Sequence, residues 1–115
     1  MIIAIVEDLM FTSKIKVAAT QLGVAVVFAR SKEAALDEMR KQAPARVILD
    51  LNSIRADPLG IVGAMKQDPA LASLPTVGFV SHVRADIIDA ARQAGVDEIM
   101  ARSAFTERLA EILRS

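Results

Sequence analysis

The sequence has no cysteine, which excludes disulfides, thiolate zinc sites and cysteine nucleophiles and suits a reducing compartment. It has no net charge either: 14 basic residues balance 14 acidic ones and are scattered rather than gathered into a stripe. The electrostatic footprint expected of a nucleic-acid or anionic-membrane binder is therefore missing. No apolar run approaches the roughly 20 residues that a membrane helix needs. The apolar start, "MIIAIV", lacks a basic leader and meets acids at positions 7 and 8, which does not describe a secretory signal. The expectation is one domain over residues 1–115, cytoplasmic, with neither membrane nor nucleic acid as a direct partner.

What is present is an alternation. Short apolar, β-branched runs recur at "IIAIV" (2–6), "VAVVFA" (24–29), "RVILDL" (46–51), "TVGFVS" (76–81) and "EIMA" (98–101). Each reads as a strand, and the unbroken hydrophobicity of the first four predicts strands covered on both faces. Amphipathic stretches rich in Ala, Lys, Glu and Arg lie between them. The first, near 12–22, puts Ile15, Ala18, Ala19 and Leu22 on one face and stops at Gly23, which suits the left-handed position after a helix. The second takes Ser31 as its N-cap and runs towards Lys41, with Pro44 beyond it as a stop. The third opens on Asp57 as cap and Pro58 in the first turn, and ends near Gln67. A fourth, near 84–94, ends at Gly95, and a fifth occupies about 104–114.

Strands alternating with helices require right-handed crossovers, hence a largely parallel sheet with helices on both faces. Five strands in so short a chain predict an α/β, flavodoxin-like (βα)5 fold, a doubly wound parallel sheet in the order 2-1-3-4-5. Strands 1 and 3 then flank the topological switch point, and ligands bind beyond the carboxyl ends of the strands there. Strand 1 runs into Glu7 and Asp8, and strand 3 into Asp50, with Asn52 two residues on. Three converging carboxylates cannot all stay ionised unaided: a pKa rises, a basic side chain moves in, or a cation binds. Magnesium would answer this, since it takes octahedral oxygen ligands, keeps several waters and accepts one or two carboxylates. Asp8 and Asp50 are the candidate carboxylate ligands, the backbone carbonyl of Asn52 a third oxygen, and Glu7 a contact through water. The competing reading is that each acid caps a helix or solvates a loop.

Through "IVEDLMFTSKI", "VILDLNS", "VGFVSHV" and "AGVDEIMARSAF" the chain resembles the receiver domain of bacterial two-component response regulators, over essentially its whole length. By position, the resemblance makes Glu7 and Asp8 the acidic pair, Asp50 the phosphoacceptor, Asn52 the backbone metal ligand and Ser81 the hydroxyl residue ending strand 4. In the family the aspartate attacks a phosphohistidine while Mg²⁺ neutralises the transferred group. That division suits phosphoryl transfer, which mainly wants in-line positioning and charge stabilisation. Asp50 would be the nucleophile, and Ser81 would turn to donate to the new phosphoryl oxygen. The output would be a shift of the face built from the fourth helix, fifth strand and fifth helix. The resemblance thus implies a signalling domain rather than an enzyme. Its partners would be a histidine kinase or phosphotransfer protein and a downstream target, and the same face would serve a homodimer. Output domains are often attached after the fifth helix in this family, so the chain also fits as part of a longer regulator.

Several positions depart from the pattern. Arg102 and Ser103 stand where receivers carry a lysine and a cis proline. Arginine keeps the charge, but its fork is wider and favours bidentate pairing, so Arg102 either clamps Asp50, holds the phosphoryl group or points to solvent. A cis peptide without proline costs roughly 2.5–4 kcal/mol, so a trans bond and a rerouted loop are expected at Ser103. Ile99 replaces the aromatic switch residue, which rules out a rotamer switch at that position. Ile54 stands where a proline is usual, and Gly60 comes two residues late, which lengthens the loop "NSIRADPLG". His82, the only histidine, reads as a loop residue. Two functions stay open. Glu7, Asp8, Asp50 and Ser81 favour a working receiver, whereas Arg102, Ser103 and Ile99 favour a pseudo-receiver that binds partners without phosphorylation. Free-substrate enzymes fit less well. A haloacid-dehalogenase-type phosphatase would need a second aspartate two residues after a nucleophile on strand 1. A flavodoxin would need a Ser/Thr/Gly phosphate loop where this chain has acids.

Overall fold

The computed structural model describes residues 1–53, 55–81 and 84–114; Ile54 and His82 lie outside the described residues. Five strands, β1 (Ile2–Ile5), β2 (Val26–Phe28), β3 (Arg46–Asp50), β4 (Thr76–Val80) and β5 (Glu98–Ala101), pair in parallel in the order β2-β1-β3-β4-β5. The helices are α1 (Leu9–Leu22), α2 (Lys32–Gln42), α3 (Pro58–Gln67), α4 (Ala85–Ala94), α5 (Arg102–Glu107) and α6 (Leu109–Arg114). This is the flavodoxin-like order that the alternation predicts. Among the described residues no helix is long and apolar enough to cross a membrane.

Successive strand residues point to opposite faces, and this splits the core in two. Ile3, Ile5, Val47 and Leu49 face one way and pack with Leu36 and Met39 of α2, Ile61, Val62 and Met65 of α3, and Ala91 of α4. Ile2, Ala4, Ile48, Val77 and Phe79 face the other way, against Phe11 and Ile15 of α1, Phe105 of α5, and Ile112 and Leu113 of α6. Strands β1, β3 and β4 are buried along most or all of their length, but β2 is only half-buried throughout. The expectation of two covered faces fails for β2 because it is an edge strand and pairs only with β1.

Local chemistry sets most helix ends. Ser31 Oγ accepts the Ala34 N–H at 3.1 Å, and Gly23 and Gly95 close α1 and α4 with φ of 70° and 107°. Asp57 caps α3 from a left-handed backbone (φ 49°), its Oδ1 accepting the Gly60 N–H at 3.2 Å. A Cβ on Gly60 would collide with that carboxylate, which gives the displaced glycine a local reason. Two ends differ from expectation. Helix α1 starts at Leu9 rather than near residue 12, because Asp8 Oδ1 accepts the Met10 and Phe11 N–H groups at 2.9 and 3.3 Å and so caps it directly after the strand. At the other end no loop follows β5. The Ala101 backbone is extended, Arg102 is already helical, no cis peptide is present among the described residues, and the expected final helix divides at Arg108 into α5 and α6.

At the amino end of the sheet, opposite the switch point, Asp97 Oδ2 accepts both the N–H (2.9 Å) and the hydroxyl (3.1 Å) of Thr76, whose Oγ1 accepts the Asp97 N–H at 2.9 Å. This closed exchange satisfies buried Thr76 and fixes β5 beside β4, leaving the carboxyl end of the sheet to build the site.

Candidate functional site at the carboxyl end of the sheet

Asp50 is the last residue of β3, in register with Phe79, and only 6 % exposed. Its Oδ1 accepts the Asn52 N–H at 3.1 Å. Burial pushes its carboxyl pKa above the ordinary 3.8. The Asn52 N–H and the positive charge of Arg102 act against that rise, and the negative charges of Glu7 and Asp8 add to it. The three expected acids therefore sense one another, and Arg102 belongs to the same electrostatic group.

Arg102 neither clamps Asp50 nor points away into solvent: it pairs with Asp8. Its Nη2 donates to Asp8 Oδ2 at 2.6 Å, and its guanidinium carbon lies 4.4 Å from the centre of the Phe11 ring. That ring is itself held, stacked on Phe79 at 4.7 Å and tilted against Phe105 at 5.5 Å, while Phe79 and Phe105 meet at 4.7 Å. The Arg102 hydrogen bond, followed by the Phe11 N–H, holds the Asp8 carboxyl below its usual range, so Asp8 is an ionised partner. Both of its oxygens are engaged, Oδ1 by the start of α1 and Oδ2 by the start of α5. Asp8 thus caps α1, as the competing reading has it, and at the same time pairs with Arg102.

The remaining candidates tie neighbouring loops. Glu7 is exposed, and its Oε1 accepts the Arg55 N–H at 3.1 Å across from the β3–α3 connection. With Leu9, Arg30 and Arg55 it lines a cleft of about 300 Å³. Ser81 is exposed and lies one residue beyond β4; its N–H donates to the side-chain oxygen of Asn52 at 2.6 Å. A second cleft, about 400 Å³, runs between α1 and α5 past Asp8, Phe11, Arg102 and Ser103. Among the described residues no three His, Cys, Asp or Glu side chains are grouped so as to hold a metal ion. Glu7, Asp8 and Asp50 share this end of the sheet without forming such a group. As arranged, they do not fit a divalent ion: Asp8 is taken by a guanidinium and two N–H groups, and Glu7 by Arg55.

Three participants escaped the sequence reading: Phe11 as the platform for Arg102, the Asn52 side chain as the Ser81 acceptor, and the Arg55 N–H. Only Phe11 left a signal, an aromatic three residues after an acid that precedes a helix.

No protein-family model matches the sequence, and no curated protein is detectably similar to it. Solved structures are similar over nearly all of this chain and most of their own length. A response regulator from Hahella chejuensis superimposes with a TM-score of 0.86 at 17 % identity, covering 98 % of this chain and 91 % of that one. This chain has the receiver-domain fold of response regulators. The phosphorylated cyanobacterial phytochrome response regulator RcpA matches at TM-score 0.80 and 23 % identity (98 % and 87 % covered). The Mn²⁺-bound form of response regulator Rcp1 matches at 0.79 and 17 % (96 % and 89 %). On the receiver fold, the carboxyl end of β3 that carries Asp50 sits between β1 and β4, whose following loops hold Asp8 and Ser81. A receiver fold carrying a guanidinium on one of its acids is what the chemistry must be built from.

Proposed function

We propose that this chain works as a receiver in a two-component phosphorelay, taking a phosphoryl group from a histidine kinase or phosphotransfer protein onto Asp50 and switching a protein contact in response. The observation that carries this reading is the placement of Asp50: a buried carboxylate at the carboxyl end of β3, at the switch point, oriented by the Asn52 N–H. The phosphorylated state of RcpA, a structural neighbour, supports it. In the transfer, an Asp50 oxygen forms a bond to phosphorus as the phosphorus–nitrogen bond of the donor's phosphohistidine breaks, leaving a neutral imidazole once a proton is taken up. The transition state spreads negative charge over the phosphoryl oxygens and needs cationic neighbours. Arg102 is the cation whose charge already reaches Asp50, and a guanidinium accommodates a phosphoryl oxygen as readily as a carboxylate. Ser81, tied to Asn52 at the start of the β4–α4 connection, is the residue through which that loop would sense the new group. Because Asp8 is already held by Arg102 and two backbone N–H groups, this reading assigns charge stabilisation of the transferred group to Arg102 rather than to a divalent ion.

The Arg102–Asp8 pair favours a second reading, a pseudo-receiver whose site is permanently closed and whose surfaces bind partners without phosphorylation. One experiment separates the two. The protein is incubated with acetyl phosphate, and separately with a phosphorylated histidine phosphotransfer protein, with and without Mg²⁺, and its intact mass is recorded beside an Asp50→Ala variant. A gain of a single phosphoryl group, absent from the variant, supports the receiver. No gain from either donor overturns it in favour of the pseudo-receiver.

A further inference from the structure

We infer that Arg102 is the resident cation of the acidic site, doing the neutralising work of a divalent ion, so that the native protein leaves Mg²⁺ and Mn²⁺ unbound. This goes beyond the phosphorelay reading and stands whether or not Asp50 is phosphorylated. A divalent ion at this end of the sheet would need oxygens from Asp8, yet Oδ2 lies 2.6 Å from Arg102 Nη2 and Oδ1 serves two backbone N–H groups. Binding there would mean displacing a charge-assisted hydrogen bond and bringing two positive charges to the guanidinium.

Arg102 is also poorly placed to move aside. It begins α5 directly after β5, whose last residue, Ala101, is in register with Val80, and Thr106 Oγ1 donates back to the Arg102 carbonyl at 3.0 Å. Its guanidinium rests 4.4 Å from the Phe11 ring centre, and Phe11 is gripped by Phe79 and Phe105. A lysine on a flexible loop could swing away as an ion entered; an arginine laid on a packed ring and anchored at the first residue of a helix cannot do so without leaving that ring. Finally, Arg102 Nε is buried with no hydrogen-bond partner among the described residues. That nitrogen is shut off from solvent, so the guanidinium is enclosed where it lies rather than free on the surface.

The test uses the full chain, ¹⁵N-labelled, titrated with Mn²⁺ to millimolar concentration while paramagnetic broadening of the amide signals is followed. For the native protein, the Asp8, Asp50 and Asn52 amides are expected to broaden no more than the surface average. Selective broadening of those three overturns the inference without recourse to any variant. In Arg102→Gln, selective broadening is expected to appear, with Mn²⁺ affinity raised by about tenfold or more, as relief of one contact charge implies. Adding Asp8→Asn to that variant should abolish the gain. A folded Arg102→Gln that gains no Mn²⁺ affinity also overturns the inference, and if that variant fails to fold the native titration decides alone. Failure of acetyl phosphate to modify Asp50 bears on the phosphorelay reading and leaves this outcome untouched.

Discussion

Replacing Phe11 with leucine tests whether the aromatic platform holds the site together. Phe11 is 4 % exposed, meets Phe79 at 4.7 Å and Phe105 at 5.5 Å, and carries the Arg102 guanidinium carbon at 4.4 Å. Each aromatic pair contributes about 0.5–1.5 kcal/mol beyond area burial. The cation–π contact, with Arg102 partly exposed, adds about 0.5–1 kcal/mol. Leucine keeps much of the apolar area but leaves a shortfall worth about 1 kcal/mol. The expected loss is about 3 kcal/mol, which at roughly 4 °C per kcal/mol for a domain of this size lowers Tm by about 12 °C. With no Trp or Tyr to report, urea and thermal unfolding are followed by far-UV circular dichroism. A double-mutant cycle with Arg102→Gln should yield a coupling of about 0.5–1 kcal/mol between ring and guanidinium. A loss below about 1 kcal/mol, or a coupling indistinguishable from zero, would mean that the ring fills space and does not position Arg102.

Two further outcomes follow from the same geometry. Asp50→Asn should stabilise the protein at neutral pH, because burial raises the native Asp50 pKa above 3.8. Below that value both native and unfolded chains carry the group protonated. As pH climbs through the folded pKa the native state resists ionisation while the unfolded state does not, so stability present in acid is lost. The variant's advantage in urea unfolding should therefore open as pH rises and level off above the folded pKa; an advantage that widens towards acid contradicts the burial argument. Asn52→Ala removes the acceptor of the Ser81 N–H at 2.6 Å, costs about 1 kcal/mol and should speed hydrogen exchange at the Ser81 amide, whereas unchanged protection would show that the bond does not hold this loop.

What could be read from sequence was local. Ser31, Gly23, Gly95 and the Asp57-Pro58 pair act within one helical turn of themselves, so their roles as caps and stops need no tertiary context. Alternation of strand and helix with right-handed crossovers pointed to a parallel sheet, five strands in so short a chain to the order 2-1-3-4-5, and that order brought Glu7, Asp8 and Asp50 to one end. Burial of β2 was misjudged because it was read from the apolar run "VAVVFA" alone, although the predicted order already put that strand at an edge with one neighbour. The early start of α1 was legible in principle, since Asp8 caps it through its own neighbours, but the same residue was a ligand candidate and the two roles compete for its oxygens.

The partner of Arg102 was beyond reach. Asp8 lies 94 positions away, and sequence left the guanidinium open to Asp50, a phosphoryl group or solvent. The choice was made by the packing of Phe11, Phe79 and Phe105 from α1, β4 and α5, and by the loss of a loop between β5 and α5. Residue types and their periodicity therefore determined which charges meet at the switch point, because strand tips are set by short-range pattern. Which charge neutralises which was decided only by tertiary structure, because a long side chain's direction depends on the surface it lies on, and that surface is assembled from distant parts of the chain.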